Sequence, residues 1–435
     1  MSLTAIDAEY DALHEDLTSY LAEGGQLAVV KAPPGSGKTF TLVRVLAELA
    51  RRGLRVAVAV QTNNQADDIC RRFATLHPGC SVARFSSATL KAPAGFPPLI
   101  RRVTKTAELP SGPGVTVATT AKWSLTDVGP SYDLLAIDEA WQMSWADLMQ
   151  CATVSGRFLM IGDSGQIPPV VTIDVRRWET SPRAPHAAAP DVVLSEETFE
   201  HIRFVGSLPA CRRLPNESVD FVRPFYDFDF AAYVAAGSRG LDMGNGDAWR
   251  EPLSAGRPLA LTIPTPDHGP PIEIDHDIAL AAKSMVKDLL GGEVRLRGDG
   301  PKRPLLAGDI GLTSSHRVMN AALASALGPL ANDIRVDTPE RWQGLERPVM
   351  IAVHPLSGVT DPSAFDLETG RLCVMASRHQ AGFILLTRDH VGETLRNYVP
   401  GASQSPGRPD VVGRGHDAHL RFWSQLEAAG SVAAL

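Results

Sequence analysis

The stretch 29-VVKAPPGSGKTFTL-42 decides the fold. An apolar run enters a Pro/Gly-rich turn, meets a Lys-Thr pair and leaves as a helix. A Gly-rich backbone lets successive N–H groups point at phosphate oxygens, the helix N-terminus adds its positive dipole end, and a lysine neutralises the outer phosphates. Against the pattern GxxxxGK[ST], Gly37, Lys38 and Thr39 fit, while Ala32 stands where the first glycine is expected. The loop Pro34, Gly35, Ser36, Gly37, Lys38 and Thr39 is therefore the candidate phosphate cradle, against the plainer reading of a chance Gly/Pro turn.

Working outward, Ile6, Tyr10, Leu13, Leu17 and Leu21 recur at helical spacing before the double glycine at 24–25. Strands are expected at 27–32, 55–61, 115–119, 133–138 and 158–163. Helices are expected at 38–52 and at 65–76, the latter after Asn63-Asn64. Near-continuous Val/Ile/Leu strands alternating with helices predict a parallel sheet covered on both faces. Residues 176–192 read as a surface loop and 237–271 as mostly irregular. The α/β rhythm then returns, with strands at 258–263, 309–314, 334–338, 348–353 and 382–387 and helices at 276–290 and 316–327. The expected organisation is a first α/β domain over 1–205, a second over 206–400, and a tail over 401–435 with a helix at 416–429.

Composition narrows the class. A chain of 435 residues has room for two or three domains. A protein that coats nucleic acid is usually basic, whereas this one carries a net charge of −7, so any such site must be a local groove. The five cysteines form no CxxC pair, which argues against a structural zinc or an iron–sulfur cluster and suits a reducing compartment. The segment MSLTAIDAEYDALHED is acidic where a secretory signal is basic, and no apolar run approaches the length of a membrane span. A cytoplasmic protein with no membrane partner is expected.

Two further stretches carry chemistry. In 133-DLLAIDEAWQ-142 a buried strand ends in two acids. Asp138 can hold Mg²⁺ and Glu139 can polarise an attacking water; the alternative is an acid pair capping the next helix. In 158-FLMIGDSGQIPPV-170 a strand runs into a turn holding Gln166, a neutral amide able to sense a γ-phosphate or position water; the alternative is a plain turn.

The order APPGSGKT, DEAWQ, GDSGQIPP resembles superfamily 1 helicases and translocases, in the branch of the RNA-decay and tRNA-processing helicases. Other segments resemble that branch in the same order: 58-VAVQTNNQADDI-69, 117-VATTAKW-123, 208-LPACRRLPNESVDFVRPFY-226, 309-DIGLTSSHRVMNAAL-323, 336-VDTPERWQGLERPVMI-351 and 371-RLCVMASRHQAGFILLTR-388. The likeness runs from about residue 27 to 388. It implies two RecA-like P-loop domains with ATP in the cleft between them. It also implies that Lys38 and Thr39 bind phosphates and Mg²⁺, that Asp138 binds Mg²⁺, that Glu139 is the base and that Gln166 senses the γ-phosphate. Arg213 and Arg378 would be arginine fingers, with Arg212 a rival to Arg213. Gln343, Gly344 and Glu346 would link the nucleotide to the strand groove. Single-stranded DNA or RNA would meet Thr62, Asn63, Thr119, Thr120, Thr313 and Thr338, small groups that bond phosphates without reading bases. Trp123 and Trp342 are stacking candidates, with burial in the core the competing reading.

Departures are equally visible. YRM has become RRL, TRA has become SRH, and no adenine-reading motif is evident in 10–26. Residues 77–114 leave little space for the inserted domains that unwinding members carry. The implied function is an ATP-dependent 5′→3′ helicase or single-strand translocase. The second reading is an ATPase switch that binds nucleic acid or a protein partner without processive unwinding.

Overall fold

The computed structural model describes residues 2–435 except 130, 172–173, 179–180, 245–248, 293 and 402–409. The chain forms two compact units, one of Met1–Ser164 with Pro168–Pro209, the other of Gly165–Ile167 with Ala210–Leu435.

The first unit is built on an eight-stranded sheet, every neighbouring pair parallel. Across the sheet the strands are Arg101–Val103, Val82–Phe85, Gly114–Thr119, Arg55–Val60, Leu134–Asp138, Phe158–Gly162, Leu27–Lys31 and Arg203–Ser207. Side chains alternate between faces along a strand, and here both faces are dry. Val56, Val58 and Val60 join one core beneath the helices Lys38–Arg51 and Asn63–Leu76, while Ala57 and Ala59 join a second core with Trp123 and Trp141. That double burial is why these strands read as unbroken apolar runs.

Three local expectations change in this unit. The helix expected at 65–76 begins at Asn63, because Thr62 is its N-cap in a reciprocal capping box with Gln65. The loop expected at 176–192, of which 179–180 lie outside the described residues, ends at the short helix Ala189–Ser195, whose Ala189 and Val193 are buried in the second core; the Pro/Ala-rich composition masked that apolar face. The unit also runs beyond 205 to Pro209, and Gly165–Ile167 group with the other unit. Gly165 there lies against the Tyr226 ring, where a Cβ would come within 2.6 Å of Cζ.

The second unit holds a six-stranded parallel sheet in the order Arg335–Asp337, Ile310–Thr313, Arg347–Val353, His379–Arg388, Leu259–Ile263, Val432–Ala434. The expected irregular stretch 237–271 contains the strand Gly240–Asp242, antiparallel to Arg295–Arg297, and the helix Arg250–Ser254. The tail expected over 401–435 belongs to this unit. Its helix starts at Val411 rather than 416 and buries Phe422, Trp423 and Leu426 in the core, and Val432–Ala434 completes the sheet against Leu259–Ile263. Glycines at 413 and 415 hid the first turn. Gly415 is required by packing, since a Cβ would lie 2.1 Å from the Leu367 carbonyl oxygen. Among the described residues no helix is long and apolar enough to cross a membrane.

Candidate nucleotide and strand-binding site

The phosphate loop leaves the strand Leu27–Lys31 and turns on Gly35 and Gly37, with φ of 61° and 81°. Glycine takes that left-handed region without steric cost. Gly37 is the N-cap of Lys38–Arg51 and offers no side chain, so the first N–H groups of the helix open onto the loop. The Tyr10 hydroxyl donates to the Ser36 carbonyl at 2.8 Å, and the Ala32 N–H donates to the Gly162 carbonyl at 2.8 Å. Among the described residues only Glu139 and Glu273 are non-glycines with positive φ. Ala32 therefore has ordinary backbone, and its methyl is buried in the core, which is why the missing first glycine is tolerated. Ser36 is buried, and its hydroxyl has no partner among the described residues.

Two side chains of the loop meet the acids of the strand Leu134–Asp138. Lys38 Nζ lies 2.6 Å from Glu139 Oε1, and the Thr39 hydroxyl donates to Asp138 Oδ2 at 3.2 Å. Asp138 is buried; that burial, then the negative charge of Glu139, push its carboxyl up to about 6, with the Lys38 ammonium pulling the other way. A buried carboxylate beside a threonine hydroxyl is a hard oxygen donor set of the kind Mg²⁺ takes. Glu139 sits at φ 54°, ψ 43°. A non-glycine residue held there costs on the order of 1 kcal/mol or more, and such strain clusters at functional positions.

In the second unit, Arg213 and the QGLE segment converge. Arg213 Nε donates to Glu346 Oε2 at 2.5 Å and Nη1 to the Ser377 carbonyl at 3.0 Å. Burial raises the Glu346 carboxyl, but Arg213, Gln380 and the charge of Arg378 together bring it below its usual range. Arg378 is itself buried, with 1% exposed. Arg212 goes elsewhere: its guanidinium lies 3.7 Å from the centre of the Tyr233 ring. Gly344, at φ 75°, opens the turn that leads to Glu346. Gln166 is buried, in the three-residue segment that groups with this unit. The His of SRH is a core group: His379 stacks on Phe383 and its Nε2 donates to the Ser218 hydroxyl at 2.9 Å, because that hydroxyl's own proton goes to the Gly256 carbonyl.

The strand-contact candidates divide by what their side chains already do. The Thr62 hydroxyl is engaged in its capping box, yet the residue is exposed. The Thr119 hydroxyl accepts from Lys122 N at 3.2 Å as an N-cap. Thr120 is buried and donates to the Val60 carbonyl at 3.3 Å, and Thr313 has 1% exposure, so neither hydroxyl has surface to offer a strand. Thr338 is half-buried in a cavity of about 180 Å³ with Arg317, Asn320, Asp337 and Arg341. Trp123 and Trp342 are fully buried, donating to the Val58 and Leu312 carbonyls, and are core side chains.

Asn63 has a partner that sequence reading missed. Buried Arg84 donates to its Oδ1 at 2.7 Å and to Asp67 Oδ1 at 2.9 Å. An arginine has no acceptor, so Asn63 must turn its carbonyl inward and its NH₂ toward solvent. The signal was a lone charge within the apolar strand 82-VARF-85.

Residues 14–178 match a family model described as an AAA domain. A segment of 72 residues is 28% identical to DNA-binding protein SMUBP-2 of Rattus norvegicus and to that of Mus musculus, covering 17% of this chain and 7% of the relative. The match thus spans under a tenth of those curated relatives' length. Among solved structures, the arterivirus nonstructural protein 10 helicase aligns over 86% of this chain and 62% of its own, at 17% identity and a TM-score of 0.45. The same helicase in complex with DNA aligns over 86% and 63%, at 16% identity and a TM-score of 0.44. The AAA-domain match takes in the phosphate loop, the Asp138–Glu139 strand tip and the Gln166 turn.

Proposed function

We propose that the protein is an ATP hydrolase that moves along a single strand of DNA or RNA, in the 5′→3′ direction that its family resemblance implies. The observation that supports this best is the meeting of Lys38 with Glu139 and of Thr39 with Asp138 at the strand ends of one sheet. In this reading Lys38 leaves Glu139 for the phosphates, and the freed carboxylate takes the proton of the attacking water. Asp138 and Thr39 would hold Mg²⁺, which supplies positive charge to the transferred phosphoryl group. Arg213 exchanges Glu346 for the same group, and Arg378 adds a second cation. Gln166 senses the γ-phosphate. A cytoplasmic location belongs to the same reading.

A second reading, an ATP-gated switch with a nucleic-acid or protein partner, is favoured by one observation. Residues 77–114 hold only the short strands Val82–Phe85 and Arg101–Val103 and the turn Thr106–Glu108, with no inserted domain. ATP hydrolysis measured with and without single-stranded DNA and RNA, then strand displacement on tailed duplexes of both polarities, separates the two. No stimulation by either polymer sinks the motor. Stimulation without displacement favours the switch.

A further inference from the structure

From residue 69 to 107 the chain contains no Asp or Glu and seven Lys or Arg, although its net charge is −7. This acid-free segment builds the outer edge of the first unit's sheet. The edge strand Arg101–Val103 pairs with Val82–Phe85, which pairs with Gly114–Thr119, which pairs with Arg55–Val60. All are parallel and in close register, with Val103 opposite Phe85 and Thr119 opposite Val60. Their carboxyl ends therefore share one rim of the sheet. Read outward along that rim, Thr62–Asn63 is followed by Thr119–Thr120, then Ser86–Ser87, then Thr104–Lys105. Three strand spacings of about 4.8 Å put Lys105 roughly 14 Å from the strand that leads to Asn63.

The charges on this edge fall into two sets. Arg72 and Arg84 are engaged with Asp68 and Asp67. Lys91, Arg101 and Lys105 are exposed and have no ion-pair partner among the described residues. Lys122, from the short helix Thr120–Ser124, stands 4.2 Å from the centre of the Phe85 ring and bridges the middle of the rim. Arginines on an edge strand also guard against edge-to-edge pairing, which accounts for Arg101 and Arg102. It does not account for Lys91, Lys105 or Lys122, which lie off the strand, or for the missing acids.

The geometry points to a basic extension of the strand track: the rim from Asn63 through Lys122 to Lys105, with Lys91 and Arg101 beside it, binds the phosphate backbone of a single nucleic-acid strand. This rests on the nucleic-acid reading above and deepens it by giving the strand a path across the first unit. The contacts are to phosphates, so they add affinity and salt dependence without sequence preference.

The test is binding of fluorescein-labelled oligo-dT and oligo-U, by anisotropy across a salt titration, to the full chain and to K91Q/R101Q/K105Q. Single-strand binding loses a slope of about 0.7 in log K against log salt for each phosphate contact removed. The triple variant is expected to lose a slope of about 2 and, at 0.1 M salt, on the order of a hundredfold in affinity. A control neutralised at exposed Lys287, Arg295 and Arg414 should keep the wild-type slope, and the single reversal K105E should weaken binding at unchanged melting temperature. A triple variant with wild-type affinity and slope overturns the extension alone. A wild-type chain that binds neither oligomer overturns both this inference and the proposed function.

Discussion

The two units share a parallel α/β plan and use charge in opposite ways. In the first, the candidate site groups sit at the rim of the sheet: Lys38 and Glu139 are paired but 18% and 12% exposed, and Asn63 is exposed. In the second, charge and imidazole are driven inward. Arg378, Arg388, His354, His379 and His419 are all buried, and Arg388 is locked to Asp275 and Asp277.

The largest effects should come from the Lys38–Glu139 pair. Lys38→Ala is expected to lower ATP turnover about a thousandfold. Glu139→Gln should lower it by roughly 10²- to 10⁴-fold, the range for losing a general base, while leaving nucleotide binding, followed with a fluorescent ATP analogue, largely intact. Normal hydrolysis by Glu139→Gln would remove the base assignment.

Next in size is the arginine comparison. If Arg213 is the finger, Arg213→Ala lowers kcat by about 10³, whereas Arg212→Ala, whose side chain rests on Tyr233, changes it by less than about tenfold. Equal losses would make the exchange of Glu346 for phosphate untenable.

The buried histidines give the second unit an acid limit. Burial holds His379 and His419 down at about 3 and His354 well below its ordinary value. Each binds a proton in the unfolded chain near pH 6.5 but not in the folded one. Their stabilisation is therefore complete above about pH 6.5 and is lost as pH falls toward 3, by up to about 1.4 kcal/mol per pH unit for each. Urea midpoints taken between pH 7 and 5 should fall, and His419→Leu should flatten that dependence. A slope undiminished in His419→Leu, His354→Leu and His379→Leu alike would place the acid sensitivity elsewhere.

The smallest effect concerns Thr313, whose buried hydroxyl has no partner among the described residues. Thr313→Val should raise stability by about 1 kcal/mol and leave strand affinity within about twofold. A large loss of affinity would return Thr313 to the strand groove.

The same contrast explains what could be read in advance. The parallel sheets were legible because strands buried on both faces leave runs such as 55-RVAVAV-60, and the phosphate loop because its glycines answer a backbone demand. The Lys38–Glu139 pair lay within reach because the loop and strand tip carry their own spacing signals. Arg84, His379 and Gly415 were not legible: each is explained by a neighbour distant in sequence, Asn63, Ser218 and Leu367 respectively. Thr120 and Thr313 resembled surface contacts because a threonine at a strand end looks the same in sequence whether it faces water or the core.

Glu139 has a practical consequence. Its left-handed backbone is one that glycine adopts freely, so replacing it with glycine would relieve strain and remove the carboxylate together. If Glu139 is the base, a thermostability screen that rewarded this replacement would select an inert clone. Any engineering of this scaffold should therefore select for turnover at position 139 and for melting temperature everywhere else.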